Sequence, residues 1–223
     1  MGSEMSAVAT GQNQPIKELA QIEQGTGEQY ARERADAARN REKILCEAAR
    51  LFKDQGIENV SMEAVAAAAG VGKGTLFRRF GDRAGLASSV LDEGERRFQE
   101  AFLRGPPPLG PGAPPAERIC AFGEARLDTL EIHAELALVA EKIVPAARFR
   151  HPVYTAYRIH LTSLITDADP ECDIEYIADV LLAALSADQF LYLRRARGMD
   201  LDRIKAGYAD LVRRLLPASG GER

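Results

Sequence analysis

One stretch of twenty residues, SMEAVAAAAGVGKGTLFRRF at Ser61–Phe80, constrains the fold more than any other part of the chain. Its opening serine is a favourable N-cap, and apolar residues then recur at helical spacing as far as Gly70, a residue suited to ending a helix. A second helix follows, with Leu76 and Phe80 four residues apart on its inner side. Because the alanines of the first helix let the second cross it closely, the stretch predicts a helix-turn-helix.

The outward side of the second helix carries the residues that we expect to contact DNA. A helix-turn-helix inserts its second helix into the major groove N-terminus first, and this helix has cations but no carboxylate. Arg78 and Arg79 can each pair with guanine O6 and N7 or clamp a phosphate, and Thr75 can offer a methyl group to thymine. Lys73 and Gly74 lie at the helix start, where a cation and bare backbone can approach the sugar-phosphate chain.

The surrounding residues, Asn40–Leu86, resemble the DNA-binding domain of TetR-family transcriptional repressors. The resemblance rests on the pattern A-A-x-x-L-F, then A-G-V, then G-T-L-[YF]-x-x-F, and it covers three helices and the start of a fourth. It implies an all-α fold, in which an N-terminal three-helix helix-turn-helix domain precedes a C-terminal helical domain for ligand binding and dimerisation. It also implies operator contacts at Thr75, Phe77 and Arg79, with a further cation at Arg83.

The chain departs from the family pattern at two positions. Gly72 stands where a serine often caps the recognition helix, and Phe77 stands where a tyrosine hydroxyl often touches phosphate. The hydroxyl groups behind these two features are therefore missing here, and Phe77 can pack on a sugar or a thymine methyl instead. The complete set of expected DNA contacts is Ser61, Lys73, Gly74, Thr75, Phe77, Arg78, Arg79 and Arg83.

Charge is distributed unevenly along the chain. The formal net charge is −4, yet residues 31–104 contain 14 Lys and Arg against 12 Asp and Glu, whereas the segments before and after are acidic. A local positive region on an acidic protein favours site-specific docking over indiscriminate coating of DNA. No run of about 18 apolar residues and no signal-peptide core are found, so we expect a cytoplasmic protein with no membrane partner.

Four segments are expected along the chain. Residues 1–35 are polar, which predicts disorder or a basic arm. We expect the helix-turn-helix domain at 36–86, the helical effector-binding and dimerisation domain at 87–217, and a tail at 218–223. The arginines of the first segment can reach phosphates or serve only as a solvated lead-in to the first helix. The sequence GPPPLGPGAPP at 105–115 holds six of the eleven prolines, which predicts either a break between domains or a loop inside the second.

Polar side chains on apolar helix faces mark a candidate effector site in the C-terminal half. The candidates are Arg126, His133, Tyr157, His160 and Tyr192, together with the apolar Phe122 four residues before Arg126. Arg126 can meet an anionic or carbonyl ligand, or it can form a structural ion pair with Glu124, Glu135 or Glu141. The histidines lack metal-ligand spacing, and no cofactor is predicted.

These patterns predict a homodimeric repressor that a small-molecule effector releases from a palindromic operator. The family resemblance implies that the last two long helices, about 170–198 and 201–216, pair with their copies. An alternative is a regulator that answers to a partner protein, or to a thiol oxidant through Cys46, Cys120 or Cys172. An enzyme is not predicted, because the chain has no G-x-S-x-G, no phosphate-binding glycine loop after a strand and no metal cluster.

Overall fold

The computed structural model describes residues 14–141, 149 and 151–216, and every regular element within these ranges is a helix. The α-helices there are α1 (Gln14–Gln55), α2 (Met62–Ala69), α3 (Lys73–Phe80), α4 (Arg83–Arg104), α5 (Pro115–Glu141), α6 (Pro152–Ala168), α7 (Ile174–Ala184), α8 (Ala187–Leu191) and α9 (Leu201–Leu215). A 3₁₀ turn at Ile57–Asn59 follows α1, and a π-helical turn at Tyr192–Ala196 extends α8. The all-α prediction is confirmed.

Helix α1 begins at Gln14, so residues 14–35 are helical where disorder was expected. These residues are rich in Ala, Glu, Gln and Arg, which are strong helix formers, and extending an existing helix is far easier than nucleating a new one. The chain separates into two compact units, Met1–Ile44 and Leu45–Arg223. In the first unit Arg32 and Arg34 are exposed, and Arg39 pairs with Asp36. Residues 1–13 and the expected tail, 218–223, lie outside the described residues.

The helix-turn-helix forms as the local sequence signals require. The hydroxyl of Ser61 accepts a hydrogen bond from the Ala64 N–H at 3.1 Å, which caps α2. At the other end Gly70 adopts a left-handed conformation with φ 66°, and the chain turns into α3. Asp82 caps α4 by accepting from the Gly85 N–H at 2.8 Å. Helix α3 packs against both α2 and α4.

The C-terminal half is built around α5, which packs against α4, α6, α8 and α9. Its core contains an aromatic cluster formed by Phe98, Phe102, Phe122, Tyr157 and His160. The proline-rich residues 105–114 connect α4 to α5. Because these two helices pack on each other, this segment is a loop within one folded unit and not a break between domains.

The prediction of a single long helix over residues 170–198 is wrong. Helix α7 begins only at Ile174, after the Asp173 carboxylate caps it by accepting from the Tyr176 N–H at 3.2 Å. The helix ends at Ala184, and the Ser186 hydroxyl donates back to the Ala183 carbonyl at 2.9 Å. Serine can satisfy the backbone locally in this way, so it permits a break without Pro or Gly.

Within the described ranges no single helix is long and apolar enough to cross a membrane. One pair of segments, Ile174–Ala184 with Ala187–Ala196, passes the same length and composition test together, with a 44° bend between them.

Candidate DNA-contacting surface and effector cavity

Helix α3 buries one side and exposes the other. Leu76 is fully buried and Phe80 is 8% exposed, because both face the neighbouring helices. The other six residues of α3 are exposed, and we call four of them the α3 outer face: Thr75, Phe77, Arg78 and Arg79. Two guanidinium groups, a hydroxyl and an aromatic ring are thus presented together, a combination that suits phosphates, guanine edges and thymine methyl groups.

Lys73, at the start of α3, is already paired with side chains of α2 and α3. Its ammonium group forms an ion pair with Glu63 of α2 and lies 5.7 Å from the centre of the Phe77 ring. The hydrogen bond from Lys73 lowers the pKa of Glu63 below its usual value. A phosphate that binds Lys73 therefore has to compete with an ionised carboxylate.

Arg83 is also engaged, although it stands at the start of α4 as expected. It donates to the backbone carbonyl of Glu58 and to the Glu58 carboxylate, both at 2.6 Å.

By contrast, Arg78 has no ion pair within the part of the chain that the structure describes, so its guanidinium is available. The Ser61 hydroxyl accepts the capping bond and also hydrogen-bonds the Glu63 carboxylate, so a phosphate there has to replace that contact. Gly74 has open space around its Cα, so a DNA backbone can approach it closely.

A cavity of about 990 Å³ lies in the C-terminal half, between residues of α4, α5, α6 and the α7–α8 segment. Leu91, Val153, Leu182 and Leu185 form apolar parts of its wall. This size and this mixture of apolar and polar lining are typical of small-molecule sites.

Three polar residues in the cavity wall form a network across three helices. Arg126 of α5 donates to Glu95 Oε1 of α4 at 2.8 Å, and the Tyr157 hydroxyl of α6 donates to Glu95 Oε2. We call these residues the Glu95 network. Burial is the main factor that raises the pKa of Tyr157 above its ordinary value, so this phenol stays protonated and remains a donor.

The structure brings some of the expected effector residues together and separates others. Arg126 and Tyr157 line the cavity, whereas Phe122 and His160 belong to the aromatic cluster and His133 lies beside Gly94. Tyr192 is 50% exposed in the π-helical turn, and it is absent from the cavity wall because the break after α7 redirects the chain.

His133 and His160 are poor proton acceptors in the folded chain. Burial, with a smaller contribution from the nearby Arg118, lowers the pKa of His160 to about 4. Burial also lowers the pKa of His133. Each carries a buried ring nitrogen without a hydrogen-bond partner among the described residues, Nε2 in His160 and Nδ1 in His133. Within the described ranges no group of three or more His, Cys, Asp or Glu side chains could hold a metal ion.

Glu95 is one of the cavity residues that the sequence patterns did not indicate. The ion pair of Arg126 was expected with Glu124, Glu135 or Glu141, but its partner stands 31 residues earlier, on another helix. Helical spacing reports only neighbours three or four residues apart, so a pair between helices leaves no local trace. Asp92, Tyr154 and Asp179 also line the cavity.

Comparison with known proteins agrees with the helix-turn-helix geometry. Residues 44–90 match the sequence profile of the bacterial regulatory proteins of the tetR family. Over these residues, which include the helix-turn-helix, the chain carries a domain of the tetR family. An HTH-type transcriptional regulator of Staphylococcus aureus (strain bovine RF122 / ET3-1) is 39% identical over 69 residues, which are 31% of this chain and 37% of that protein. The chain therefore matches little more than a third of that relative's length.

Solved structures of transcriptional regulators share the fold over about four-fifths of this chain. A transcriptional regulator from Saccharomonospora viridis in complex with choline has a TM-score of 0.63 at 19% identity, covering 78% of this chain and 96% of that one. The structure of AibR in complex with isovaleryl coenzyme A and operator DNA has a TM-score of 0.55 at 21% identity, covering 80% of this chain and 99% of that one. At such identities the likeness establishes the fold and not the ligand.

Proposed function

We propose that this TetR-family chain is a DNA-binding transcriptional repressor that a small-molecule effector releases from a palindromic operator. The observation that carries the proposal is the α3 outer face, where two arginines and a threonine stand exposed on the second helix of a helix-turn-helix. The expected DNA contacts are Ser61, Lys73, Gly74, Thr75, Phe77, Arg78, Arg79 and Arg83. Because DNA is its partner, we propose that the protein works in the cytoplasm.

A homodimer is part of the proposal, because two recognition helices about 34 Å apart are needed to read both halves of a palindrome. We propose that residues 36–86 bind DNA and that 87–217 bind the effector and dimerise, through α9 and the α7–α8 segment. The cavity between α4 and α7 supports an effector site there. AibR, a structural neighbour, is described with both isovaleryl coenzyme A and operator DNA.

Operator binding can be tested by substitution on the α3 outer face. After selection of bound fragments from random or genomic DNA, Arg78→Ala and Arg79→Ala should each weaken specific binding. A base-specific arginine contact is worth about 1–3 kcal/mol, or roughly five- to 150-fold in affinity. Arg83→Ala should lower affinity evenly across sequences and flatten its salt dependence. Wild-type operator affinity of both arginine variants in a gel-shift titration would remove the basis of the proposal.

A regulator driven by thiol oxidation is the second candidate, and the structure favours it less. Burial raises the pKa of Cys120, and a smaller burial effect with the nearby Asp169 raises that of Cys172. A raised pKa reduces the thiolate, which is the reactive form. Cys46 is exposed and remains the thiol to examine. If Cys46→Ser abolished an effect of peroxide on operator binding, this candidate would replace the ligand-responsive one.

A further inference from the structure

The Glu95 network contains two donors that converge on one carboxylate. Arg126 and Tyr157 come from α5 and α6, and each holds a different oxygen of Glu95, which belongs to α4. The Arg126 and Glu95 side chains are only 14% and 21% exposed. The two donors therefore form a site for a carboxylate in the cavity wall, and a side chain of the protein occupies it.

Of the two charged members, Arg126 is the one that a ligand has to satisfy. Its guanidinium stays charged under all conditions in which proteins fold, and it lies 5.5 Å from the centre of the Tyr157 ring. A cationic ligand at this place would face that fixed positive charge. An anionic ligand would restore the interaction that Arg126 loses when Glu95 leaves, so exchange of one carboxylate for another is the less costly event.

We propose that the effector carries a carboxylate on an apolar body, and that this carboxylate replaces Glu95 on Arg126 and Tyr157. The inference rests on the proposed ligand-responsive function. The apolar body would lie against Leu91, Leu182 and Leu185, which line the same cavity. The assignment concerns the chemical class of ligand, namely an organic acid with an apolar chain or ring.

The exchange has a direct consequence for the DNA-binding half. Glu95, once displaced, loses both partners and faces the negative charge of the ligand, so α4 is driven away from α5 and α6. Helix α4 is continuous back to Arg83, where it follows the recognition helix α3 after only two residues. The ligand thus acts on the helix that positions α3, and differential affinity for the two positions of α4 would release DNA.

The ligand class can be tested on the full chain without DNA. Straight-chain carboxylates of about four to twelve carbons would be titrated by calorimetry beside alkylammonium ions and alcohols of the same lengths. We expect at least one carboxylate to bind roughly tenfold or more tightly than its ammonium and alcohol counterparts. Equal or tighter binding of the ammonium series, or no binding by any carboxylate, would overturn the proposal.

Two substitutions test the exchange itself. Glu95→Gln keeps an oxygen for hydrogen bonding but removes the competing charge, so carboxylate affinity should rise about tenfold. Arg126→Gln should lower it by at least as much, and Arg126→Lys should restore part of the loss. Asp179→Asn is the matched control, because it removes a negative charge from the same cavity wall on another helix, α7, where Asp179 contacts Tyr154 and Arg158. If Asp179→Asn raised affinity as much as Glu95→Gln, or if Glu95→Gln lowered it, the exchange would be refuted.

A final comparison separates this inference from the proposed function. Operator release by the best-binding carboxylate would be measured with the wild type and with Arg126→Lys, once thermal unfolding shows that the variant is folded. Release that is weakened in the variant supports both proposals. A chain that binds carboxylates through Arg126 but binds no DNA would refute the repressor while the ligand assignment stands. A chain that binds DNA but none of the carboxylates would refute the ligand assignment alone.

Discussion

Two carboxylates near the helix-turn-helix pair with cations that we expect at the operator. Glu63 pairs with Lys73 at the start of α3, and Glu58 pairs with Arg83 at the start of α4. An exposed ion pair contributes little to stability, but its acidic member lies where phosphates are expected to bind. We therefore expect these acids to lower affinity for DNA of any sequence, whereas discrimination between sequences depends on Arg78 and Arg79.

Replacing Glu63 tests this idea at the level of one residue. Glu63→Gln should raise affinity for random-sequence DNA, by up to about fivefold, because Lys73 becomes free to pair with phosphate. Fluorescence anisotropy at several salt concentrations would measure it. Glu100→Gln is the matched control, since Glu100 is an ion-paired acid on α4 about 25 Å along the helix from Arg83, well beyond the screening length. A decrease in affinity for Glu63→Gln would contradict the idea.

His160 should make the stability of the folded chain depend on pH. Burial lowers its pKa from 6.5 to about 4, so the unfolded chain binds more protons than the folded chain between these values. Stability is therefore complete above pH 6.5 and falls as the pH drops towards 4. At pH 5 the loss for this residue stays below about 2 kcal/mol, because the ring is partly exposed and solvent screens its interactions. His160→Phe, which keeps an aromatic ring beside Phe102 and Phe122, should unfold with a smaller difference in Tm between pH 7.5 and 5 than the wild type. An unchanged difference would rule out this role.

At the scale of helices, α5 and α9 cross closely at Gly123 in the C-terminal half. A Cβ atom added at Gly123 would lie 1.9 Å from the Tyr208 ring, and the ring is buried, so it has no room to withdraw. Glycine is therefore required at this crossing for steric reasons, independent of its backbone conformation.

Gly123→Ala should destabilise the DNA-free protein by about 1–3 kcal/mol or more, because overpacking forces the helices apart. Gly74→Ala is a suitable control, since a Cβ atom there meets nothing within 4 Å and alanine favours an exposed helix by about 1 kcal/mol. Urea unfolding followed by circular dichroism would compare the two. Equal stability of Gly123→Ala and the wild type would show that α5 and α9 can separate without cost.

The sequence predicted the elements that local chemistry defines and missed those that depend on distant contacts. Ser61, Gly70 and Asp82 are signals within a few residues of the helix ends that they determine, so α2, α3 and the start of α4 could be located. The break after α7 involves only a serine hydroxyl, which has no reliable sequence signature. The Glu95–Arg126 pair joins helices that meet only after folding, so no local sequence pattern indicates it.

At the scale of the whole molecule, the proposed repressor requires two copies of the chain. Helix α9 places small and charged residues on its exposed side, among them Ala206, where a partner helix could approach closely. Sedimentation should therefore give about twice the 24.3 kDa of one chain. Ala206→Arg should shift this to the monomer and abolish binding to a full palindrome. Thr166→Arg, an equally exposed site on α6, should leave the dimer intact. A dimeric Ala206→Arg variant would place the interface elsewhere.

The C-terminal end of α4 is well packed, so we expect a displacement of the helix to be a rotation about this end. Phe102 is 1% exposed within the aromatic cluster, and its carbonyl accepts from Arg118 at 3.3 Å. Along a helix rising about 1.5 Å per residue, Glu95 lies about 10 Å from Phe102 and Arg83 about 28 Å. A displacement at Glu95 is thus magnified nearly threefold at Arg83, and a shift of about 1 Å at the cavity becomes about 3 Å beside the recognition helix.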